Sequence, residues 1–127
     1  MKIEILEMEF ADQGDAVLMN FRSGDLLVGT VTITWDEIAG HGFLHQFYVR
    51  PDFESAGVRE QLAQGAIRDL WERGFHRVFL YEMESAQKAG RFWFEMGFSV
   101  VPRDGWEVPG TAAVFMAEID EGAVVVL

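Results

Sequence analysis

The sequence contains no cysteine, which excludes disulfides, thiolate metal sites and a cysteine nucleophile. This fits a reducing compartment. No apolar run approaches the ~20 residues that a membrane helix needs, and the opening stretch MKIEILEMEF is too acidic for a signal peptide. The expectation is a soluble cytoplasmic protein with no membrane partner. Basic residues are scarce at both ends. Residues 1–48 hold two basic and eight acidic side chains, and residues 104–127 hold five acids and no base. Residues 49–103 hold eight of each, for a total net charge of −11. With no basic stripe to release phosphate counterions, nucleic acid is excluded as a partner. The acidic ends either attract a cationic partner or only provide solubility. Three dispersed histidines show no metal-ligand spacing.

What is present is enough for a core. Half of the 127 residues are apolar, and a domain of this size buries roughly 65–70% of the surface its unfolded chain exposes. No repeat, low-complexity tract or linker divides the chain. Apolar alternation predicts a strand over residues 2–10. AVLMNF and LLVGTVTITW read as a hairpin with Gly24-Asp25 at its tip. A turn over Asp36–Gly42 leads to the strand FLHQFYV, residues 43–49. Val58, Leu62, Ala66 and Leu70 recur every four residues and predict a helix that Gly74 ends. RVFLYEM, residues 77–83, is a mostly apolar strand, as expected where both faces are covered. Ser85 caps a second helix that runs to Gly97. FSVV, a polar turn PRDGWEVPG and a last strand TAAVFMAEI follow, and EGAVVVL is left over. The order β-β-β-β-α-β-α-β-β specifies an α/β (α+β) domain. It has one mixed, mostly antiparallel twisted sheet with a central β-α-β crossover between parallel neighbours.

Residues 43–98 resemble the central part of the GNAT superfamily of acetyl-CoA-dependent N-acetyltransferases. The resemblance rests on Val49-Arg50-Pro51, on ESAGVR (54–59) and on AQKAGRFWFEMGF (86–98). In the family these places hold Val-x-Pro, then Arg/Gln-x-x-Gly-x-Gly/Ala opening a helix, then Asn-x-x-Ala-x-x-Phe-Tyr closed by Gly-Phe. The resemblance implies one GNAT-like domain over 1–127. Within it, 1–42 is a reduced N-terminal part, 43–98 the cofactor-binding core, 99–120 a C-terminal hairpin and 121–127 a tail. Family members usually carry one or two helices after the first strand, and the segment Ala11–Gly14 leaves almost no room for them.

The implied donor is acetyl-CoA. Its pyrophosphate is expected on the backbone N–H groups of Glu54, Ser55, Ala56, Gly57, Val58 and Arg59, at the positive end of the following helix. Glu54 replaces the family's Arg/Gln, and a carboxylate about 6 Å from a phosphate costs ~3 kcal/mol at an effective dielectric of about 20, before screening. Arg59 replaces a small residue. Its guanidinium either blocks the cradle, folds over the diphosphate, or pairs with Glu54.

The family's pantetheine arm adds to the end of the strand through backbone groups, here those of Phe47, Tyr48 and Val49. His45 stands where the family often has a carboxylate and, with an unperturbed pKa near ~6.5, is the candidate general base. Trp93 occupies the place of the family's tyrosine acid, but an indole N–H donates a hydrogen bond without usefully releasing a proton. Tyr48 or Tyr81 is left as a substitute acid. The family's asparagine is Ala86.

The expected reaction is acetyl transfer to the primary amine of a cationic acceptor, such as a polyamine, aminoglycoside, lysine side chain or N-terminal amine. The alternative is a catalytically inactive GNAT-fold protein that binds a basic partner. The apolar tail AVVVL, residues 123–127, is then a docking strand; its other readings are an edge strand at a homodimer seam or a frayed terminus.

Overall fold

The computed structural model describes residues 6–102, 110–120 and 123–124. Period-two burial identifies the early segments as strands with one covered face. In β2 (Ala16–Ser23) Val17, Met19, Phe21 and Ser23 are buried, and the residues between them are only partly covered. It pairs antiparallel with β1 (Leu6–Asp12) on one side and β3 (Leu26–Asp36) on the other. The β2–β3 turn lies at the expected tip, around Gly24. β1 runs two residues past the predicted end at residue 10, and residues 2–5 lie outside the described ones.

A fourth strand, β4 (His41–Val49), pairs antiparallel with β3. It starts two residues earlier than predicted. The Asp36 carboxylate accepts from the N–H groups of Ile38 and Ala39, and Gly40 N–H donates to Asp36 O, so the turn closes within five residues.

A 3₁₀ turn (Pro51–Ala56) then leads through Gly57 into α1 (Val58–Glu72). The apolar spacing read from the sequence is the face that α1 buries: Val58, Leu62, Ala63, Ala66, Ile67 and Leu70. Close approach of α1 to the sheet depends on Gly42, where a Cβ would lie 2.6 Å from both δ-carbons of Leu70. Gly74, at φ +96°, ends the helix, with Phe75 N–H donating to Leu70 O and Gly74 N–H to Trp71 O. This is the double-bonded C-terminal motif that favours a residue without a side chain.

The chain continues with β5 (Arg77–Glu82), α2 (Ala86–Glu95), β6 (Ser99–Val100), β7 (Ala113–Asp120) and β8 (Ala123–Val124). Ser85 caps α2 by accepting from Lys88 N–H, as predicted. β4 and β5 are parallel, so the expected crossover through α1 is present, and the remaining pairings are antiparallel. The sheet runs β1-β2-β3-β4-β5-β7-β6.

Part of the apolar tail has a structural use the sequence reading did not give it. Ala123–Val124 folds back onto β7, with Ile119 opposite Val124. Those two residues are therefore paired within the chain and not frayed. Residues 103–109 of the predicted polar turn lie outside the described ones.

Register places both helices on one face of the sheet. Ile33, Leu44, Leu80 and Phe115 are aligned neighbours across β3, β4, β5 and β7, and all are fully buried beneath the helices. The opposite face carries Thr30, Thr32 and Thr34 from β3, Phe43 and His45 from β4, and Phe79 and Tyr81 from β5. These residues are only half-buried.

Candidate active site

The middle of β4 breaks the regularity of the sheet. Three residues of β3, Thr30 to Thr32, span four residues of β4, Tyr48 back to His45. The extra residue is a β-bulge at Gln46, whose φ is +53°. The bulge also moves the burial phase. Gly42 and Leu44 are buried before it, Phe47 and Val49 after it. Pairing with β5 stops at the same place, because the parallel ladder runs from His41–Arg77 only to Leu44–Leu80. Beyond that point β4 and β5 part. Among the described residues, the β5-facing backbone of 45–49 has no strand partner, and such an edge accepts an added extended chain.

The turn at the mouth of this split is the one singled out in the sequence. Gly57 sits at φ +74°, in the left-handed region where a side chain is strained. No side chain caps the N-terminus of α1, so the positive end of the helix faces outwards. Of the three arrangements open to Arg59, the structure adopts the pairing with Glu54, Nη2 to Oε1 at 2.7 Å. The guanidinium also lies over two rings, 5.9 Å from the Phe47 centroid and 5.4 Å from that of Phe92. It therefore spans from the start of α1 to α2 on the helix side of the split. A second carboxylate, missed from the sequence, stands nearby: a Cβ on Gly57 would lie 3.9 Å from Glu60 Oε2. The side chains of Ser55 and Ala56 lie outside the described ones.

On the open face, His45 Nε2 is 2.8 Å from Thr34 Oγ1, and the His45 ring lies 5.0 Å from that of Tyr81. Burial holds the imidazole below its usual pKa of 6.5, which keeps it neutral near pH 7. In the tautomer whose Nε2–H donates to Thr34 Oγ1, Nδ1 is the nitrogen left to take a proton. Burial raises the Tyr81 phenol above its usual range. The structure thus places Tyr81 beside His45, whereas Tyr48 is exposed. Phe47 and Val49 are buried and offer only their backbone.

Trp93 belongs to the core. It is fully buried, meets Phe47, Phe92 and Phe98 edge-on at 4.9, 4.7 and 5.2 Å, and gives its indole N–H to Glu82 Oε2 at 2.9 Å. The indole that the sequence offered as a cofactor contact thus has no exposed surface, and its N–H is committed to Glu82. Glu82 is the buried carboxylate that the sequence reading missed. It is 5% exposed, and Oε1 also accepts from Glu84 N–H at 3.2 Å. The available signal was a lone acid inside the apolar run RVFLYEM. His41 lies tilted against Phe79 at 5.1 Å, apart from the His45–Tyr81 contact. Among the described residues no group of His, Asp or Glu is arranged to hold a metal ion, and no helix is long and apolar enough to cross a membrane.

A search of curated proteins found no match. Solved structures share the fold at low identity. PaiA N-acetyltransferase from Thermoplasma acidophilum, crystallised with coenzyme A, superposes with a TM-score of 0.68 at 17% identity, over 83% of this chain. This chain spans 62% of the Thermoplasma protein's length. Nourseothricin acetyltransferase gives 0.69 at 22% identity, covering 86% of this chain and 68% of that one. The ribosomal-protein-S18-alanine N-acetyltransferase of Escherichia coli gives 0.66 at 15% identity, covering 85% and 72%. The model of the Acetyltransferase (GNAT) family matches residues 2–98, more than half of the sequence. Together with the split β4–β5 pair, that match means the chain belongs to the GNAT family of acetyltransferases.

Proposed function

We propose that the protein is an acetyl-CoA-dependent N-acetyltransferase acting on a primary amine. One observation carries this reading: β4 leaves β5 at Leu44–Leu80, and the uncapped, glycine-led N-terminus of α1 stands at the mouth of the gap. The residues present suit the donor. The N–H groups at the start of α1 and the Arg59 guanidinium would hold the diphosphate. The free edge of residues 47–49 would hold the amides of the arm. When bound, the donor supplies an activated acetyl thioester.

The protein's own contribution is proton handling and alignment. An amine attacks only as its neutral form, and His45 Nδ1 takes up the ammonium proton, directly or through a water. Thr34 fixes the imidazole, and desolvation keeps the ring in its basic form. Tyr81, whose ring lies 5.0 Å from that of His45, would return a proton on the same face. The sequence suggested a cationic acceptor drawn by acidic segments. Of the early acids, Glu9 is paired with Arg22 at 3.0 Å and Asp12 with Arg73 at 3.1 Å, which leaves the others to provide that attraction.

Labelled acetyl-CoA with a panel of primary amines tests the proposal, with transfer expected to depend on His45. Full rates in His45→Ala would remove the assigned base. A second reading, a binding protein without turnover, is favoured by Arg59 resting on Glu54, Phe47 and Phe92, within the donor's path. Melting with coenzyme A separates the two readings. A native state that binds the ligand at a hundred times its Kd gains ~2.7 kcal/mol, and an unmoved midpoint at millimolar ligand would leave only the second.

A further inference from the structure

The face of the sheet opposite α1 and α2 carries a row of rings that the sequence scattered among three segments. Phe43 of β4 stacks on Tyr81 of β5 at 5.8 Å with 13° between planes, and on Phe79 at 5.9 Å and 23°. His41 lies against Phe79, and His45 against Tyr81, closing the row at both ends. Met116 of β7, opposite Phe79, extends the apolar strip, and Val114, opposite Tyr81, lies buried at its margin. On the other flank the hydroxyls of Thr30, Thr32 and Thr34 are committed to Asn20, Gln46 and His45. Among the described residues no helix covers this surface. His45 therefore sits at the boundary between a polar column and an aromatic strip.

We infer that this strip is an acceptor subsite that receives a flat, apolar or aryl body carrying the reactive amine. The inference rests on the transferase reading and narrows its substrate class. Three observations select this occupant over a polycation. First, the rings stand side by side, near-parallel and offset, so Phe43 and Phe79 turn C–H edges outward and Tyr81 its phenol. Those edges carry the positive end of the ring quadrupole and favour the π-face of another ring over a cation. Second, two carboxylates on this face are already neutralised, with Glu118 paired to Arg77 at 2.6 Å and Glu9 to Arg22 at 3.0 Å, and a third, Asp36, is committed to the N–H groups of its own turn. Third, the lowered pKa of His45 follows from its apolar surroundings, which a neutral amine on an apolar body would share and a polycation would not. An aryl body on the strip, with its amine turned toward His45, satisfies both halves of the surface.

Phenethylamine, n-butylamine and putrescine distinguish the possibilities. Their binding is read by chemical-shift changes of the His45 and Tyr81 ring protons in the full chain, with and without coenzyme A. Steady-state kcat/KM is measured in parallel. Phenethylamine is expected to bind about tenfold more tightly than putrescine, as edge-to-face contact and added apolar burial imply. Phe43→Leu, which keeps an apolar side chain but loses the ring, should remove most of that ratio while leaving putrescine unchanged. Phe79→Leu tests the same strip if Phe43→Leu folds poorly. Equal binding of the three amines, a preference for putrescine, or a ratio that survives both substitutions would overturn the inference. If coenzyme A binds while the aryl preference is absent, the subsite falls and the transferase reading stands. If coenzyme A fails to bind, the transferase reading falls, and the amine shifts still report on the strip alone.

Discussion

Replacing Glu54 with glutamine removes a carboxylate from the mouth of the split and releases Arg59, and both effects should tighten coenzyme A. A carboxylate about 6 Å from one phosphate charge costs ~3 kcal/mol at a dielectric of about 20. The Glu54 side chain is 49% exposed, so solvent and ~0.1 M salt reduce that to about 1 kcal/mol. The exposed ion pair itself contributes at most about 1 kcal/mol, and its loss frees Arg59 for the diphosphate. The sum corresponds to roughly five- to thirtyfold tighter binding.

Titration calorimetry at low and high salt measures it, and the gain should shrink as ionic strength rises. A double-mutant cycle with Arg59→Ala then divides the effect. If Glu54 acts by holding Arg59, Glu54→Gln changes little in the Arg59→Ala background; if it repels the ligand directly, the gain persists there. Unchanged or weaker binding in Glu54→Gln at low salt would refute the electrostatic reading of this turn.

Other perturbations address separate links in the argument. Gly57→Ala forces a side chain into φ +74° and should cost about 1–2 kcal/mol of stability by chemical denaturation, weakening coenzyme A in parallel. Trp93→Phe leaves Glu82 without its indole donor inside the core and should cost about 1–3 kcal/mol, whereas adding Glu82→Leu should recover much of that loss. His45 is held below pKa 6.5 by burial, so the unfolded chain takes up its proton first as the pH falls. Stability attributable to His45 is thus fully present above about pH 6.5 and lost as the pH falls below it. Wild type should lose more stability than His45→Gln below that pH in parallel melts, and an identical decline would remove the linkage.

The order of elements, the helix faces and both helix stops were legible in the chain because each is a local pattern. Val58, Leu62, Ala66 and Leu70 lie on one side of a helix whatever surrounds them, and Gly74 and Gly97 supply the positive φ that stops both helices. Ser85 needs only the N–H three residues on. The motif around Gly57 was equally local, and its three arrangements of Arg59 were stated from charge and reach alone.

Tertiary structure chose among those arrangements, because the choice depends on Phe47 and Phe92, which come from a strand and a helix far apart in sequence. The bulge at Gln46 and the parting of β4 from β5 have no single-strand signature. Register is a property of two chains of atoms laid side by side. Glu82 looked like one acid in an apolar strand until Trp93 arrived from α2 to satisfy it. The aromatic row exists only because parallel and antiparallel pairings bring His41, Phe43 and His45, Phe79 and Tyr81, and Met116 to one face. Sequence fixes what each segment can do alone; long-range pairing decides which side chains meet.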